Sequence, residues 1–332
     1  MAFDFPRPVI HGGTGKRQHE NTGKNILDFS ASLNPQPPRF MWHCDPECLS
    51  SYPDNEYNQL KECIAHTFHR DPEEICVGNG SIELIRVFCS VMLSGKRTYY
   101  TESPTFGEYG LSARLAGAEE VDTPNAATVS FFCNPNNPTG ELRKRSFLVA
   151  QTEDVASQGG MLFVDEAFIE LADPRESLVD VCDPSLFVLR SLTKSFAVPG
   201  IRFGYGFGDP DLIAKIEIAR PPWSVNAYAE AFALQAFRHL DELETSRDYI
   251  RKERNWLSLR MEELGLRCYP SSANYLLVNC ARTVGPLCKQ METHDIIVRD
   301  CTSFGLASCI RVAVRTHEEN QKFVEALSAC VR

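Results

Sequence analysis

Three apolar segments in the second half of the chain each carry one charged residue of a kind that is rarely buried. Asp165 lies inside the run MLFVDEAF, Lys194 follows the run VLRSLT, and Arg202 opens a glycine-rich run eight residues later. Apolar runs of this length predict buried strands, and a charge buried there is costly unless it has a partner. The three charges therefore indicate one shared ligand.

Pyridoxal phosphate suits a buried acid, a lysine and an arginine in this arrangement. The lysine amine forms a Schiff base with the cofactor aldehyde. The acid pairs with the pyridinium nitrogen and keeps it protonated, so that the ring can accept electrons. The arginine, with hydroxyls near the lysine, binds the phosphate. We therefore predict that Lys194 and Asp165 are catalytic and that Arg202 is a phosphate ligand.

Strands and helices alternate along most of the chain. The runs KRTYYTES, ATVSFFCN, GMLFVDEA, LFVLRSLT and FGYGFG alternate with helical patterns, which predicts an α/β fold with a mostly parallel sheet covered on both faces. Residues 227–265 predict two helices that join two domains. The runs NYLLVNC and CIRVAVR, with a last helix from Thr316, predict a smaller α+β unit. We expect an N-terminal arm at 1–44, a large domain at 45–235 and a small C-terminal domain at 236–332.

Composition limits the classes of partner. The chain has 332 residues, 43% of them hydrophobic, which supports one large core and a smaller one. A net charge of −10 and a pI near 5.4 do not favour nucleic acid or an anionic membrane surface. No run of about eighteen apolar residues predicts a transmembrane helix, and MAFDFPRP lacks the apolar region of a secretory signal.

Cysteine usage indicates a reducing compartment. The thirteen cysteines are scattered, odd in number and without a CxxC pair, so a disulfide framework is not expected. We therefore expect a cytoplasmic protein. His43, Cys44 and Cys48 in WHCDPEC lack a second ligand pair, and we expect no metal site there.

Four motifs carry a family resemblance. They are NNPTG at 136–140, DEAF at 165–168, SLTKSF at 191–196 and GIRFGY at 200–205. In this order and spacing the chain resembles the fold type I aminotransferase family, from about His11 to Leu327. The resemblance implies the fold type I architecture of pyridoxal-phosphate-dependent transferases, with a mostly parallel sheet in the large domain.

The resemblance also implies a set of cofactor contacts. Gly80 and Ser81 lie where a strand gives way to a helix, where free N–H groups and the helix dipole favour phosphate, although an ordinary glycine turn would look the same. Phe106 would stack on the ring and Asn137 would bond its phenolic oxygen. Ser191 and Thr193 would join Arg202 on the phosphate. Tyr52 would reach the cofactor phosphate of a neighbouring subunit, which implies a homodimer.

One position departs from the family pattern. Many members have tyrosine three residues after the catalytic aspartate, where it donates a second hydrogen bond to the phenolic oxygen. Phe168 stands there in this chain. The resemblance therefore implies a different electronic environment at that oxygen.

The two ends of the chain resemble one branch of the family, which contains histidinol-phosphate aminotransferases and threonine-phosphate decarboxylases. The segments HGGTG, LDFSASLNP, VRDCTSFG and RVAVRTHEEN are more similar to the decarboxylases. The resemblance implies a small phosphorylated amino acid as substrate, bound through His11, Asn34, Arg299, Arg311 and Arg315. The reaction implied is decarboxylation of L-threonine O-3-phosphate to (R)-1-amino-2-propanol O-2-phosphate, for cobalamin biosynthesis.

Other readings of the same residues remain. A histidinol-phosphate aminotransferase would use free Lys194 as a base on the Cα proton. A decarboxylase of serine phosphate would differ by one methyl group in the pocket, worth only about 1–3 kcal/mol. Arg299 and Arg315 would be surface charges in the absence of any substrate role. A regulator of the same fold would need an added DNA-binding segment, which we do not expect.

Overall fold

The computed structural model describes residues 6–13, 15, 20 and 23–331. Its strands, numbered in chain order, are β1 (Leu27–Asp28), β2 (Ile75–Gly78), β3 (Thr98–Thr101), β4 (Glu119–Glu120), β5 (Val129–Cys133), β6 (Met161–Asp165), β7 (Leu186–Ser191), β8 (Gly204–Phe207), β9 (Arg267–Cys268), β10 (Tyr275–Asn279), β11 (Ile296–Ile297), β12 (Arg299–Asp300) and β13 (Cys309–Ala313).

The α-helices of the described residues, in the same order, are α1 (Asn58–Phe68), α2 (Ser81–Met92), α3 (Glu108–Leu115), α4 (Arg145–Ser157), α5 (Leu192–Ser195), α6 (Pro210–Ala219), α7 (Ala227–Ala236), α8 (Leu243–Glu263), α9 (Gly285–Thr293) and α10 (His317–Val331). The segment 227–265 thus contains two helices, as the sequence predicts. No helix within the described ranges is long and apolar enough to span a membrane.

The large sheet has seven strands in the order β2-β8-β7-β6-β5-β3-β4. Strands β7, β6, β5, β3 and β4 are parallel, whereas β8 is antiparallel to both of its neighbours. The predicted α/β fold with a mostly parallel sheet is confirmed. Because β8 runs the other way, its first residue, Gly204, lies beside Ser191 at the end of β7 and Gly78 at the end of β2. The carboxyl ends of β2 and β7 and the amino end of β8 therefore lie side by side at one end of the sheet.

The central strands are buried on both faces, which explains their continuous apolar sequences. Alternate side chains point to opposite faces of a strand. Phe131, Phe163 and Phe187 pack on the face covered by α2, α3 and α6. Phe132, Val164 and Val188 pack on the other face with the apolar sides of α1, α4 and α7. Both faces of the sheet are thus covered by helices, as parallel sheets require.

The remaining strands form two smaller sheets. An antiparallel sheet has the order β12-β13-β10-β9, and β1 pairs with β11 in parallel. In the antiparallel sheet Arg299 of β12 lies directly opposite Arg311 of β13. The backbone of Phe29 also accepts a hydrogen bond from the Ala313 amide at 2.9 Å. The predicted N-terminal arm is therefore attached to the C-terminal strands through Phe29. The domain boundaries at 44/45 and 235/236 stay a prediction.

A buried ionic network fixes the loop that follows β6. Arg190 donates to Glu166 at 2.8 Å, to Ser177 Oγ at 2.7 Å and to Glu170. Glu166 also accepts from Ser177 Oγ at 2.7 Å and from the Leu178 amide at 2.8 Å. Burial raises the pKa of Glu166, and Arg190 opposes that shift. Glu166 is the residue after Asp165, so this network holds the end of β6 in place.

Removing the cation of this network should destabilise the fold. Arg190→Met leaves two buried carboxylates without their guanidinium, and loss of one partner from a buried pair costs about 3–5 kcal/mol. We expect the free energy of unfolding, measured by urea titration, to fall by that amount. Arg251→Met removes an exposed pair with Asp248 and should cost at most about 1 kcal/mol. Equal losses in the two variants would show that the network is not stabilising.

Candidate active site

A cavity of about 580 Å³ opens at the end of the large sheet where the carboxyl ends of the parallel strands meet the amino end of β8. Its wall is formed by residues 9–13, by the segment after β1, by the start of α2, by the ends of β5 to β7, and by β12 and β13. Most of the predicted site residues line it: His11, Ser81, Phe106, Asn137, Asp165, Ser191, Thr193, Lys194, Arg202, Arg299, Arg311 and Arg315. The carboxyl ends of parallel strands are where α/β folds bind ligands.

Asp165 is held in the cavity floor by two hydrogen bonds. Its Oδ2 accepts from the Tyr109 hydroxyl at 2.7 Å, and its Oδ1 accepts from the Ala167 amide at 2.9 Å. Burial raises the pKa of Asp165, while these two bonds and the charge of Lys194 oppose the shift. A buried carboxylate without an adjacent cation is stabilised by any cationic ligand group.

Lys194 is a partly buried lysine whose amine lies in a positive environment. It lies in α5, whose N-cap Ser191 accepts a hydrogen bond from the Thr193 amide at 3.2 Å. Burial, followed by the charges of Arg311 and Arg202, lowers the pKa of Lys194 to about 8, against an opposing effect of Asp165. The neutral amine, the form that acts as a nucleophile or a base, is therefore a minority near physiological pH but far more abundant than in an ordinary lysine.

The opposite end of the cavity is built to bind an oxyanion. Ser81 begins the twelve-residue helix α2, whose first amides point outward. Gly204 allows β8 to approach, because a Cβ there would lie 2.4 Å from the Ser81 nitrogen. Gly80 has a φ of +82°, and a Cβ on it would lie 2.3 Å from the Arg202 guanidinium. Glycine is therefore required at both positions next to the predicted phosphate ligands.

This set of residues fits pyridoxal phosphate. The oxyanion end has a helix N-terminus, an arginine and the hydroxyls of Ser81, Ser191 and Thr193. The floor has a buried carboxylate for a pyridinium nitrogen, and Lys194 has a depressed pKa suited to an aldehyde. Fold and site together define an enzyme that uses a pyridoxal-type cofactor.

Comparison with known proteins gives the family. The family model for aminotransferase class I and II matches residues 43–327, so the chain belongs to this family. Its cofactor is pyridoxal 5'-phosphate, as the sequence predicts.

Individual relatives carry two different names. A histidinol-phosphate aminotransferase of Symbiobacterium thermophilum is 33% identical over 85% of this chain and 83% of its own length. A threonine-phosphate decarboxylase of Salmonella typhimurium is 31% identical over 96% of this chain and 95% of its own length. The crystal structure of a histidinol-phosphate aminotransferase from Clostridium acetobutylicum superposes with a TM-score of 0.82 at 28% identity, covering 92% of this chain and 99% of that one.

Two buried arginines form a second cationic wall of the cavity. Arg299 and Arg311 are each 7% exposed, and neither forms an ion pair with a carboxylate of the described residues. Arg311 donates to Asn137 Oδ1 and, at 2.9 Å, to the Ser30 carbonyl. Arg299 donates to the Ile10 carbonyl at 2.6 Å and to Ser303 Oγ at 2.7 Å. Burial lowers the pKa of both guanidinium groups, a shift that an anionic ligand would reverse.

Three predicted residues have other surroundings. Asn34 does not line the cavity; its amide donates to the Ser195 carbonyl at 2.7 Å and to Ser246 Oγ at 3.0 Å, so it supports the Lys194 segment from behind. Tyr52 is 78% exposed and stacks on Trp223 with ring centroids 4.4 Å apart. Gly80 does not line the cavity itself and acts there through the space that it leaves for Arg202.

Arg315 lines the cavity, yet its charge is already matched. It pairs with Glu319 at 2.7 Å and donates to the Asp28 carbonyl at 3.1 Å. Its substrate role stays a prediction, and these contacts make it a weaker anion ligand than Arg299 or Arg311.

Sequence reasoning missed two residues of the wall. Tyr109 holds Asp165, and it is three residues after Phe106 in the same motif, SPTFGEY. Ser32 is 2% exposed, lines the cavity, and its hydroxyl has no hydrogen-bond partner among the described residues. A buried unpaired hydroxyl is costly and marks a place where a ligand can bond. The helical start after Phe106 could have indicated Tyr109; no sequence signal separates Ser32 from its neighbours.

The depressed pKa of Lys194 gives a pH prediction. Covalent attachment of pyridoxal phosphate to the cofactor-free protein needs the neutral amine, whose fraction increases as pH rises through about 8. We expect the attachment rate, followed by absorbance, to increase up to about pH 8 and then to level off. Lys194→Ala should show no covalent attachment. A rate that keeps increasing up to the ordinary lysine pKa, about 10.4, would contradict the geometry.

Proposed function

We propose that the protein is a pyridoxal-phosphate-dependent decarboxylase of L-threonine O-3-phosphate, which forms (R)-1-amino-2-propanol O-2-phosphate for cobalamin biosynthesis. The observation that carries the proposal is the pair Arg299 and Arg311. Both are buried, they lie opposite each other on adjacent strands, and neither is paired with a carboxylate of the described residues. A substrate with a phosphate and a carboxylate would supply the missing anions.

The contacts of the two arginines suggest how they divide the substrate. Arg311 donates to Asn137, the predicted partner of the cofactor's phenolic oxygen, and so lies beside the reacting end. Arg299 donates to the Ile10 carbonyl near His11, at the cavity mouth. We therefore assign the substrate carboxylate to Arg311 and the phosphate to Arg299 with His11. The unpaired Ser32 hydroxyl is a further donor on the same wall.

The Cα bond that breaks would be set by how these residues hold the substrate against the bound cofactor. The bound cofactor supplies an electron sink for the pair released from the Cα–carboxylate bond. Asp165 keeps a negative charge beside the ring nitrogen and so keeps that nitrogen protonated. Arg299 would anchor the substrate phosphate, and this anchor would orient the carboxylate for loss of CO2. Lys194, in the cavity wall, would deliver the proton that replaces CO2 at Cα.

Phe168 also favours this reading. It is buried, its ring centre lies 5.8 Å from Lys194 Nζ, and it packs edge-on against Tyr275 at 5.1 Å. The Tyr275 hydroxyl is already bonded to the Asn136 carbonyl at 2.8 Å. Phe168, three residues after Asp165, has no hydroxyl and donates no hydrogen bond. This is compatible with the decarboxylases of this branch.

A histidinol-phosphate aminotransferase is the second candidate, and the 33% identical relative with that name favours it. The same cationic wall would hold the phosphate of histidinol phosphate, but that substrate has no carboxylate for Arg311. Serine phosphate differs from threonine phosphate by one methyl group. Relative rates on the two phosphoamino acids would decide between them, with an expected difference of about 1–3 kcal/mol.

The reaction is tested with threonine phosphate and no keto acid. We expect the holoenzyme to release CO2 and to act poorly on unphosphorylated threonine. Arg299→Gln should raise KM by about 10–100-fold with less change in kcat, because it removes a charge-assisted contact with the phosphate. Arg251→Gln, in an exposed pair far from the cavity wall, is the matched control. Amino transfer from histidinol phosphate to 2-oxoglutarate without CO2 release would establish the second candidate instead.

We also propose a homodimer in which Tyr52 reaches the cofactor phosphate of the neighbouring subunit. Tyr52 and Trp223 form an exposed aromatic stack, and Met41, Leu49 and Tyr228 are exposed apolar side chains from the same segments of chain. Tyr52 is 78% exposed and does not line the cavity of its own subunit, so it cannot bond the cofactor there.

The dimer has a direct test. Sedimentation should give about twice the chain mass of 37.3 kDa. Tyr52→Phe removes one hydroxyl and should weaken pyridoxal phosphate binding by about tenfold, the value of one hydrogen bond to a charged group. Tyr228→Phe, a second exposed tyrosine, should bind the cofactor normally. A monomer whose Tyr52→Phe variant keeps full cofactor affinity would refute the arrangement.

A further inference from the structure

Residues 9–13 lie across the mouth of the cavity and are held there by side chains from three parts of the chain. Arg299 donates to the Ile10 carbonyl at 2.6 Å. The Gly13 amide donates to Ser30 Oγ at 2.8 Å. The His11 ring bonds to Glu108 at 2.9 Å. All five residues line the cavity, so their position determines the shape of its mouth.

Glu108 is a carboxylate with both oxygens engaged. Oε1 bonds to His11 Nε2 at 2.9 Å, and Oε2 accepts from Arg86 Nη2 at 2.8 Å. The residue is 4% exposed, and it is the first residue of α3, where the helix dipole stabilises a negative charge. A carboxylate buried in this way is held in one orientation, because breaking either bond would leave a buried charge without that partner, which is costly.

His11 depends on Glu108 for its orientation. Its side chain is 50% exposed, and within the described ranges Glu108 provides the only hydrogen bond to its ring. The other contact of the ring is with Phe106, whose centroid lies 6.0 Å away. Because Nε2–H donates to Glu108, Nδ1 is the ring atom left for a ligand, and it donates to a phosphate oxygen in the imidazolium form of the ring.

We propose that Glu108, itself fixed by Arg86, is a positioning residue that holds His11 at the phosphate-binding end of the cavity. Glu108 orients the imidazole so that Nδ1 faces the substrate phosphate, and the same bond keeps residues 9–13 closed over the bound substrate. The inference rests on the proposed function, because it assumes a phosphorylated substrate. Within the described residues the Glu108 carboxylate bonds to His11 and Arg86 and not to Lys194 or Asp165, so its effect on the reaction passes through His11.

The kinetic test is a double-mutant cycle. Glu108→Gln should raise KM for threonine phosphate by about tenfold, the value of about 1.4 kcal/mol, with kcat changed much less. Turnover of unphosphorylated threonine should not change. His11→Ala should give a similar or larger increase in KM, and the double variant should equal His11→Ala, because Glu108 has nothing left to position. Additive losses would mean that Glu108 acts independently of His11 and would overturn the proposal.

The matched control is Glu242→Gln. Glu242 also bonds a histidine, His239 Nδ1 at 2.6 Å, but neither residue lines the cavity. Glu242→Gln should leave the kinetic constants for threonine phosphate and for unphosphorylated threonine unchanged. If Glu108→Gln folds poorly by circular dichroism, Arg86→Gln replaces it, because Glu108 then loses its second hold and the same change in KM is expected. Kinetic constants of Glu108→Gln and Arg86→Gln equal to those of Glu242→Gln would refute the proposal.

Hydrogen exchange gives a readout that does not depend on the reaction. In the holoenzyme without substrate, Glu108→Gln should speed amide exchange in residues 9–13, and Glu242→Gln should not. If the wild-type protein releases no CO2 from threonine phosphate, the proposed function fails, while exchange still decides whether Glu108 holds His11. Unchanged exchange in an active protein would refute the positioning role alone.

Discussion

Asp165, at the end of β6, and Lys194, in α5, line one cavity without forming an ion pair with each other, and the rest of the molecule is arranged around that constraint. Burial raises the pKa of the acid and lowers that of the amine. Tyr109 holds the acid, and the charges of Arg202 and Arg311 act on the amine. A cofactor that offers a pyridinium to one residue and an aldehyde to the other relieves both costs. The charges that are costly to bury are the ones that would hold the cofactor.

The antiparallel strand β8 makes this arrangement possible. In a sheet of parallel strands, only carboxyl ends of strands lie at one end of the sheet. Because β8 is reversed, its first residue, Gly204, also lies at that end, beside Ser191 and the start of α2. Arg202, two residues earlier, therefore reaches the oxyanion end while Lys194 reaches the aldehyde end. The network of Glu166, Arg190 and Glu170 holds the neighbouring loop and so the position of Asp165.

The substrate end is built from the two termini of the described chain. Arg299 and Arg311 come from C-terminal strands, and His11 comes from the arm, yet they line one cavity. Arg299 joins the two directly through the Ile10 carbonyl. Binding of an anion there would draw the arm and the C-terminal sheet together.

The sequence alone determined the fold class and the cofactor end. The apolar runs beside Asp165, Lys194 and Arg202 could be read as strands, because period and burial are local properties. The substrate end needed the tertiary structure. Arg299 and Arg315 look alike in sequence, but Glu319 neutralises Arg315, while Arg299 has no carboxylate partner among the described residues. Asn34 resembles a ligand in its motif, yet its amide faces Ser195 and Ser246. Tyr109, Ser32 and Glu108 owe their roles to partners distant in sequence, and only the folded chain brings such partners together.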